Sequence, residues 1–217
     1  MEPVPEPGPE RVVHVPSARL VRWVEGFQER HGPLTTSRFS DALVLDGADG
    51  ARARLAAPFL PWPASDDLLS AFLAHATADR TVGAVLVRKG GYAVGRFVGP
   101  SLVASKVDST YVQGKTKAGG WSQQRYARRR GNQSAKAYAE TADVAVRLLV
   151  PYVDALDAVV TGGDKVAVTA VLADPRLGAL LPLVQPRTHP VPDPRLRVLE
   201  AFPEQFLAVE ITLNALA

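Results

Sequence analysis

The 217-residue sequence predicts a mixed α+β fold, on three observations. Strand-like runs at Val82 to Arg88 and Tyr92 to Val98 are joined by the turn Gly90-Gly91, and a third at Ser101 to Val112 follows directly. Three sequential strands with short turns make an antiparallel meander. Tyr138, Ala142, Ala145 and Leu149 then recur at helical spacing. Short apolar runs alternate with helical ones after that, so the second part reads β-β-β-α-β-α-β: a mixed sheet with helices packed on it.

Residues 1–10, MEPVPEPGPE, alternate proline with acids and are expected to be a disordered or extended tail. Residues 11–60 read as a small N-terminal α/β extension. Val12 to Val15 is a strand, and Ser17 is placed as the N-cap of a helix whose apolar stripe is Leu20, Val24 and Phe27. His31 ends that stripe as a partly buried helix-end residue rather than a metal ligand. Leu43-Val44-Leu45 and Ala51 to Leu55 flank Asp46-Gly47-Ala48-Asp49-Gly50, a hairpin in which the aspartates form the turn. A calcium loop requires more oxygen ligands and a distal glutamate. Pro58 to Pro63 bends the chain and marks the domain boundary, after which Asp66 to Ala76 is a helix with Leu68, Leu69, Phe72 and Leu73 on its apolar face.

Beyond the meander, a firm helix is expected only after Gly131-Asn132, with a loop or frayed turn before it. Ala158 to Thr161 is a buried strand leading through Gly162-Gly163-Asp164 into a helix. That junction reads first as a tight turn with Asp164 capping the helix. The alternative is a backbone cradle for phosphate, although the Walker spacing is missing. Leu177 to Val184 is a short helix or bend. Val198-Leu199-Glu200 and Phe206 to Thr212 are late strands, and His189 falls in a proline-rich extended linker.

Composition narrows the function. Apolar content of 47% and charged content of 22% are those of a globular domain, and no apolar run reaches membrane-span length. The acidic start lacks the features of a signal peptide, so a cytoplasmic location is expected. The absence of cysteine removes disulfides, thiolate catalysis and cysteine-ligated zinc. Neither a GxSxG elbow nor an HExxH helix occurs, and His14, His31, His75 and His189 have no metal-ligand spacing. Cofactor and metal are both expected to be absent. Asp154, Asp157 and Asp164 would have to converge for the remaining alternative, a metal-dependent nuclease.

The net charge is only +3, but its distribution is uneven. Between Lys106 and Lys136 the basic residues Lys106, Lys115, Lys117, Arg125, Arg128, Arg129, Arg130 and Lys136 face the single acid Asp108. Such a block is either a solvated helix face or a polyanion site. The lack of compensating glutamate at helical spacing favours the polyanion. Cations in the first turns of a helix oppose its dipole, a cost of a few tenths of a kcal/mol each that an anionic partner offsets. Within the block, Gly119-Gly120 allow a backbone to deform or approach a partner closely, and neutral Gln123 and Gln124 follow Trp121 and Ser122.

A glycine loop ending in glutamine, set at a helix start among cations, resembles the catalytic loop of translation release factors. The stretch TYVQGKTKAGGWSQQRYARRRGNQSAKAYAE is similar to the Vms-like release factor family of peptidyl-tRNA hydrolases, most tightly over Ser109 to Glu140. The resemblance implies an RNase H-like mixed sheet, as in the catalytic domain of the eukaryotic class-I release factor. It makes residues 61–217 the catalytic domain and 115–132 its GxxQ loop. It places GxxQ on Gly120-Trp121-Ser122-Gln123, with Gln123 catalytic beside Gly119 and Gly120, and Gln124 adjacent. Lys115, Lys117, Arg125, Arg128, Arg129, Arg130 and Lys136 then hold RNA.

The implied activity is ribosome-dependent hydrolysis of peptidyl-tRNA on stalled large subunits. The partners are rRNA and tRNA, with no DNA and no membrane, and the protein is expected to be a monomer by this reading. The alternative is a non-catalytic ribosome- or RNA-binding module using the same basic loop. The loop is expected to be mobile in isolation, because glycines and like charges offer it little packing.

Overall fold

The computed structural model describes residues 10–88, 91–109 and 122–217, with the backbone alone over 122–134. The chain divides into two compact units, residues 1–78 with 204–217 and residues 79–203.

The first unit is a five-stranded antiparallel sheet in the order β1-β10-β4-β3-β2. Its strands are β1 (Arg11–Pro16), β2 (Leu34–Arg38), β3 (Ala42–Gly47), β4 (Arg52–Ala56) and β10 (Ala208–Leu213). Helices α1 (Ser17–His31) and α2 (Leu68–Thr77) complete the unit. Leu20, Val24 and Phe27 of α1 are buried with Leu43, Leu45, Leu55, Trp62 and Phe72 in its core. Alternate residues Val209, Ile211 and Leu213 of β10 join them, as the two-residue period of a strand requires.

Ser17 opens α1 but makes no capping bond; Pro16 precedes it, and its fixed φ suits that position. Asp67, in contrast, caps α2 by accepting from the Ser70 amide at 3.0 Å. The expected hairpin forms as β3 against β4, and His31 bonds Asp49 in its turn at 2.9 Å. Strand β2 was not legible: LTTSR has no apolar alternation, since it is an edge strand paired only to β3. The predicted boundary near residue 60 falls inside this unit, because Phe59 and Trp62 are buried on the proline bend, where the Leu60–Pro61 peptide is cis.

The second unit is a five-stranded mixed sheet in the order β7-β6-β5-β8-β9. It comprises β5 (Thr81–Arg88), β6 (Gly91–Val98), β7 (Ser101–Asp108), β8 (Ala158–Gly163) and β9 (Val184–His189). β8 and β9 run parallel to β5, and β6 is antiparallel to both β5 and β7. β6 alone is thus reversed among the five strands. β5 and β8 read as unbroken apolar runs because both of their faces are covered.

One face carries α3 (Ser122–Leu149), α4 (Lys165–Leu172) and a 3-10 segment Pro175–Leu183, with Val85, Val87, Val94, Ala145, Leu149 and Val168 in the shared core. The other face meets α5 (Leu196–Glu200), where Gly95 leaves room for Leu199. The short α6 (Pro203–Phe206) precedes β10.

Two expectations fail here. Val198-Leu199-Glu200 is helical, since only Leu199 faces the core and three residues are too few to fix a period. His189 ends strand β9 and is buried against Phe202, with ring centroids 5.4 Å apart. The proline-rich composition concealed that strand, which sits at the sheet edge, where proline is tolerated. Among the described residues no single helix is long and apolar enough to cross a membrane. The bent pair Lys165–Leu172 and Pro175–Leu183 has the composition, but its Ala167, Val168, Val171, Leu177 and Leu180 are buried.

Candidate functional site

The basic stretch is entered from β7 and left through α3. β7 is the sheet's edge, and its last residue, Asp108, pairs with Tyr92 at the start of β6. Gly91 lies immediately before, at φ +151°, where a Cβ would collide with the Asp108 carbonyl oxygen. This close passage requires glycine. Asp108 accepts from the Ser109 amide at 2.9 Å, and Lys106 approaches its carboxylate at 3.9 Å. Tyr92 is almost wholly buried, and burial pushes its phenol pKa up, reinforced by the carboxylates of Asp108, Glu140 and Asp143. The phenol is therefore a neutral strut beneath the β7 exit.

The chain returns as α3, whose later half is firmly seated. Ala142, Ala145 and Leu149 are buried, and Leu149 packs over Gly83 of β5, where a Cβ would lie only 3.2 Å from it. Thr141 is wholly buried and satisfies its hydroxyl by donating to the Ala137 carbonyl at 2.7 Å. Arg176 clamps the helix from the side, its Nη2 lying 2.7 Å from Asp143 and 2.7 Å from Asp174. Seating begins near Tyr138, and a helix rises about 1.5 Å per residue, so Ser122 starts about 24 Å earlier along the axis.

The predicted site residues distribute as follows. Gln123, Arg125, Arg128, Arg129 and Arg130 fall on the helical backbone of α3, with side chains outside the described residues. Gly119, Gly120, Lys115 and Lys117, and with them the expected mobile loop, lie outside the described residues altogether. Lys136 is four-fifths exposed and lies 3.8 Å from Glu140, one turn on. The expected interruption at Gly131-Asn132 does not occur, and α3 is continuous from Ser122. A single Gly costs about 1 kcal/mol in a helix interior, which a 28-residue helix absorbs.

The other candidates resolve differently. Asp164 caps α4, accepting from the amides of Val166 at 2.9 Å and Ala167 at 3.3 Å. Its carboxylate occupies the place a phosphate would need. Gly163, at φ +103°, runs against the Val87 carbonyl, to which the Asp164 amide donates at 2.9 Å. Beside this turn a cleft of about 430 Å³ is lined by Arg88, Pro190, Val191 and Asp193, and Arg88 donates to the Val191 carbonyl at 2.8 Å.

Asp157 accepts from the Thr81 amide at 2.7 Å, at the opposite end of β8 from Asp164. At about 3.3 Å per residue the two acids are separated by about 23 Å along the strand. No metal-holding group of three or more acids or histidines occurs among the described residues. Sequence reasoning missed Tyr92 and Arg176, which position α3. A tyrosine in a strand and an arginine in a short helix carry no signal of the partners they meet.

The family profile of the Actinobacteria/chloroflexi VLRF1 release factor matches residues 80–212, more than half of the chain. The chain belongs to this family. The VLRF1 match spans the whole mixed sheet, α3 and the basic stretch, and reaches into β10, while β1, α1, β2, β3, β4 and α2 lie outside it. No curated protein matches the chain significantly. Among solved structures, an archaeal translation termination factor, aRF1, aligns over 93% of this chain and 68% of its own length, at 13% identity and a TM-score of 0.41. A second, described as an archaeal protein, aligns over 91% and 67%, at 15% identity and a TM-score of 0.39.

Proposed function

We propose that this VLRF1-family chain is a ribosome-dependent peptidyl-tRNA hydrolase that frees nascent chains from stalled large ribosomal subunits in the cytoplasm. The observation that carries the reading is the family match across a mixed sheet whose edge strand β7 leads into Gly120-Trp121-Ser122-Gln123. Helix α3 begins inside that motif, at Ser122.

The first four N–H groups of an α-helix have no partner within it. Those of Ser122 and Gln123 are thus available to a developing oxyanion, and the helix dipole favours negative charge there. A glutamine amide is no general base. Its side chain orders the attacking water, and the ribose hydroxyl beside the ester relays the proton to the leaving oxygen. The aminoacyl ester is already labile, so placing one water and excluding others supplies the acceleration. Gly119 and Gly120 let the backbone approach an RNA-walled cavity closely.

Lys115, Lys117, Arg125, Arg128, Arg129, Arg130 and Lys136 hold rRNA and tRNA phosphates, contacts that are independent of sequence and steeply salt-dependent. Residues 79–203 form the catalytic part of the chain, which acts as a monomer and needs no metal.

The test is release of a labelled nascent peptide from purified large subunits carrying peptidyl-tRNA. Wild type is expected to release it, and the Arg128/Arg129/Arg130→Ala variant to lose subunit binding and release together. Salt-sensitive binding without any release by wild type would retire the enzyme and leave an RNA-binding module.

A further inference from the structure

The N-terminal unit carries a basic aromatic groove that the proposed function does not use. On α1, Arg19, Trp23, Gly26 and Arg30 recur at spacings of four, three and four residues, a single stripe along one flank of the buried face. The acids of this helix, Glu25 and Glu29, project from the far side at these spacings. Next to the stripe lies a groove of about 520 Å³, floored by Val13 and Leu213 and bordered by Arg11, Trp23, Arg30 and Ala217, with Arg19 on the stripe beyond its lining.

Trp23 is half-buried, and one face of its indole stacks on Phe27, with centroids 5.4 Å apart and planes 16° from parallel. Gly26 leaves the helix surface bare, and the Arg30 guanidinium folds back over it. Arg11, Arg19 and Arg30 are exposed, and among the described residues none has a carboxylate within ion-pair distance. Asp49, in the turn after β3, is bonded to His31 at 2.9 Å and accepts from the Ala51 amide at 3.0 Å. The His14–Glu210 pair lies on the opposite face of the sheet, one residue out of phase with Val13 and Ile211.

Two guanidinium groups bordering an apolar slot, an indole at the slot's edge, and a third guanidinium one turn back from it along α1 match an unpaired nucleotide strand. The bases are planar and apolar on their faces, and the phosphates are anionic. The slot is sized for one or two bases, not for a stacked duplex. We infer that this groove is a second RNA-binding site, in which an unpaired base of single-stranded RNA stacks on Trp23 while Arg11, Arg19 and Arg30 hold the flanking phosphates. The choice of RNA rests in part on the proposed ribosomal function, but the site requires none of its chemistry.

The test uses the full chain carrying Arg128→Ala, Arg129→Ala and Arg130→Ala, so that the other basic stretch is disabled. Its binding to a labelled single-stranded RNA of about 12 nucleotides is followed by fluorescence anisotropy across a salt series. Adding Arg11→Ala, Arg19→Ala and Arg30→Ala is expected to weaken binding about tenfold or more and to make the salt slope shallower by about 2. Trp23→Leu is expected to weaken single-strand binding while the arginine variants, which leave the core untouched, keep the test independent of any folding defect.

Affinity and slope unchanged by the three arginine substitutions would overturn the inference. So would equal binding of a duplex of the same sequence, or displacement of the RNA by poly-glutamate at equal charge. Failure of peptide release would leave this binding measurement intact, so the two proposals fail separately.

Discussion

Gly163 shows how a single residue is fixed by its surroundings. Its positive φ and its contact with the Val87 carbonyl leave no place for a side chain. Gly163→Ala is expected to lower stability by about 1–3 kcal/mol, read from a shifted denaturation midpoint at constant slope. The sequence showed a glycine pair before a helix but not which of the two was obligatory; that depends on the neighbouring strand β5. The capping role of Asp164 was legible, because aspartate before an apolar helical run has one favoured use. At Gln123, sequence identifies a residue type and a motif. The chemistry proposed for it requires the amide side chain, so Gln123→Glu, similar in size but anionic beside a developing oxyanion, is expected to release peptide about 10²-fold more slowly or worse. Wild-type rates in the same release assay would refute the water-ordering role.

Helix α3 was legible in its seated half and misread in its leading half. Tyr138, Ala142, Ala145 and Leu149 have the period that burial imposes, whereas Gly131-Asn132 carried a breaker signal that the continuous helix overrides. Local propensity is a weak prior against a helix already nucleated downstream. Leu149→Ala would open a cavity over Gly83 and is expected to cost about 2–5 kcal/mol in equilibrium unfolding. The clamp on this helix is electrostatic. Arg176 holds the Asp174 carboxyl at a pKa of about 2, below its ordinary 3.8. A depressed carboxylate contributes stability above its unfolded pKa and loses it as pH falls through the folded one. The difference in thermal midpoint between wild type and Asp174→Asn is therefore expected to be constant above about pH 5, to shrink as pH falls through about 2 and to vanish only by about pH 1. A difference that persisted there would show that the loss is one of packing. β2, β9 and α5 were missed for a common reason. Each is short and covers an edge or an end, where neither hydrophobic period nor composition reports the partner.

Chain order and spatial order diverge in the whole molecule. β10, the last strand, inserts between β1 and β4, so the first unit is closed by the end of the sequence. A linear reading assigned that strand to the second domain, since a crossover of this length leaves no local trace. Truncation after residue 207 is expected to abolish amide protection in β1 and β4 while β5 and β8 remain protected, as hydrogen exchange would report. The family match then acquires a physical sense. It follows the mixed sheet and α3, between which the Gly120–Gln123 motif falls in the sequence, and leaves aside α1, α2 and four of the five strands of the unit bearing the α1 groove. The most direct measurement of the central claim is single-turnover peptide release from peptidyl-tRNA-bearing large subunits by wild type and by Gln123→Ala. The account predicts a loss of about 10²–10³-fold in rate with subunit binding retained. Undiminished release by Gln123→Ala would contradict it.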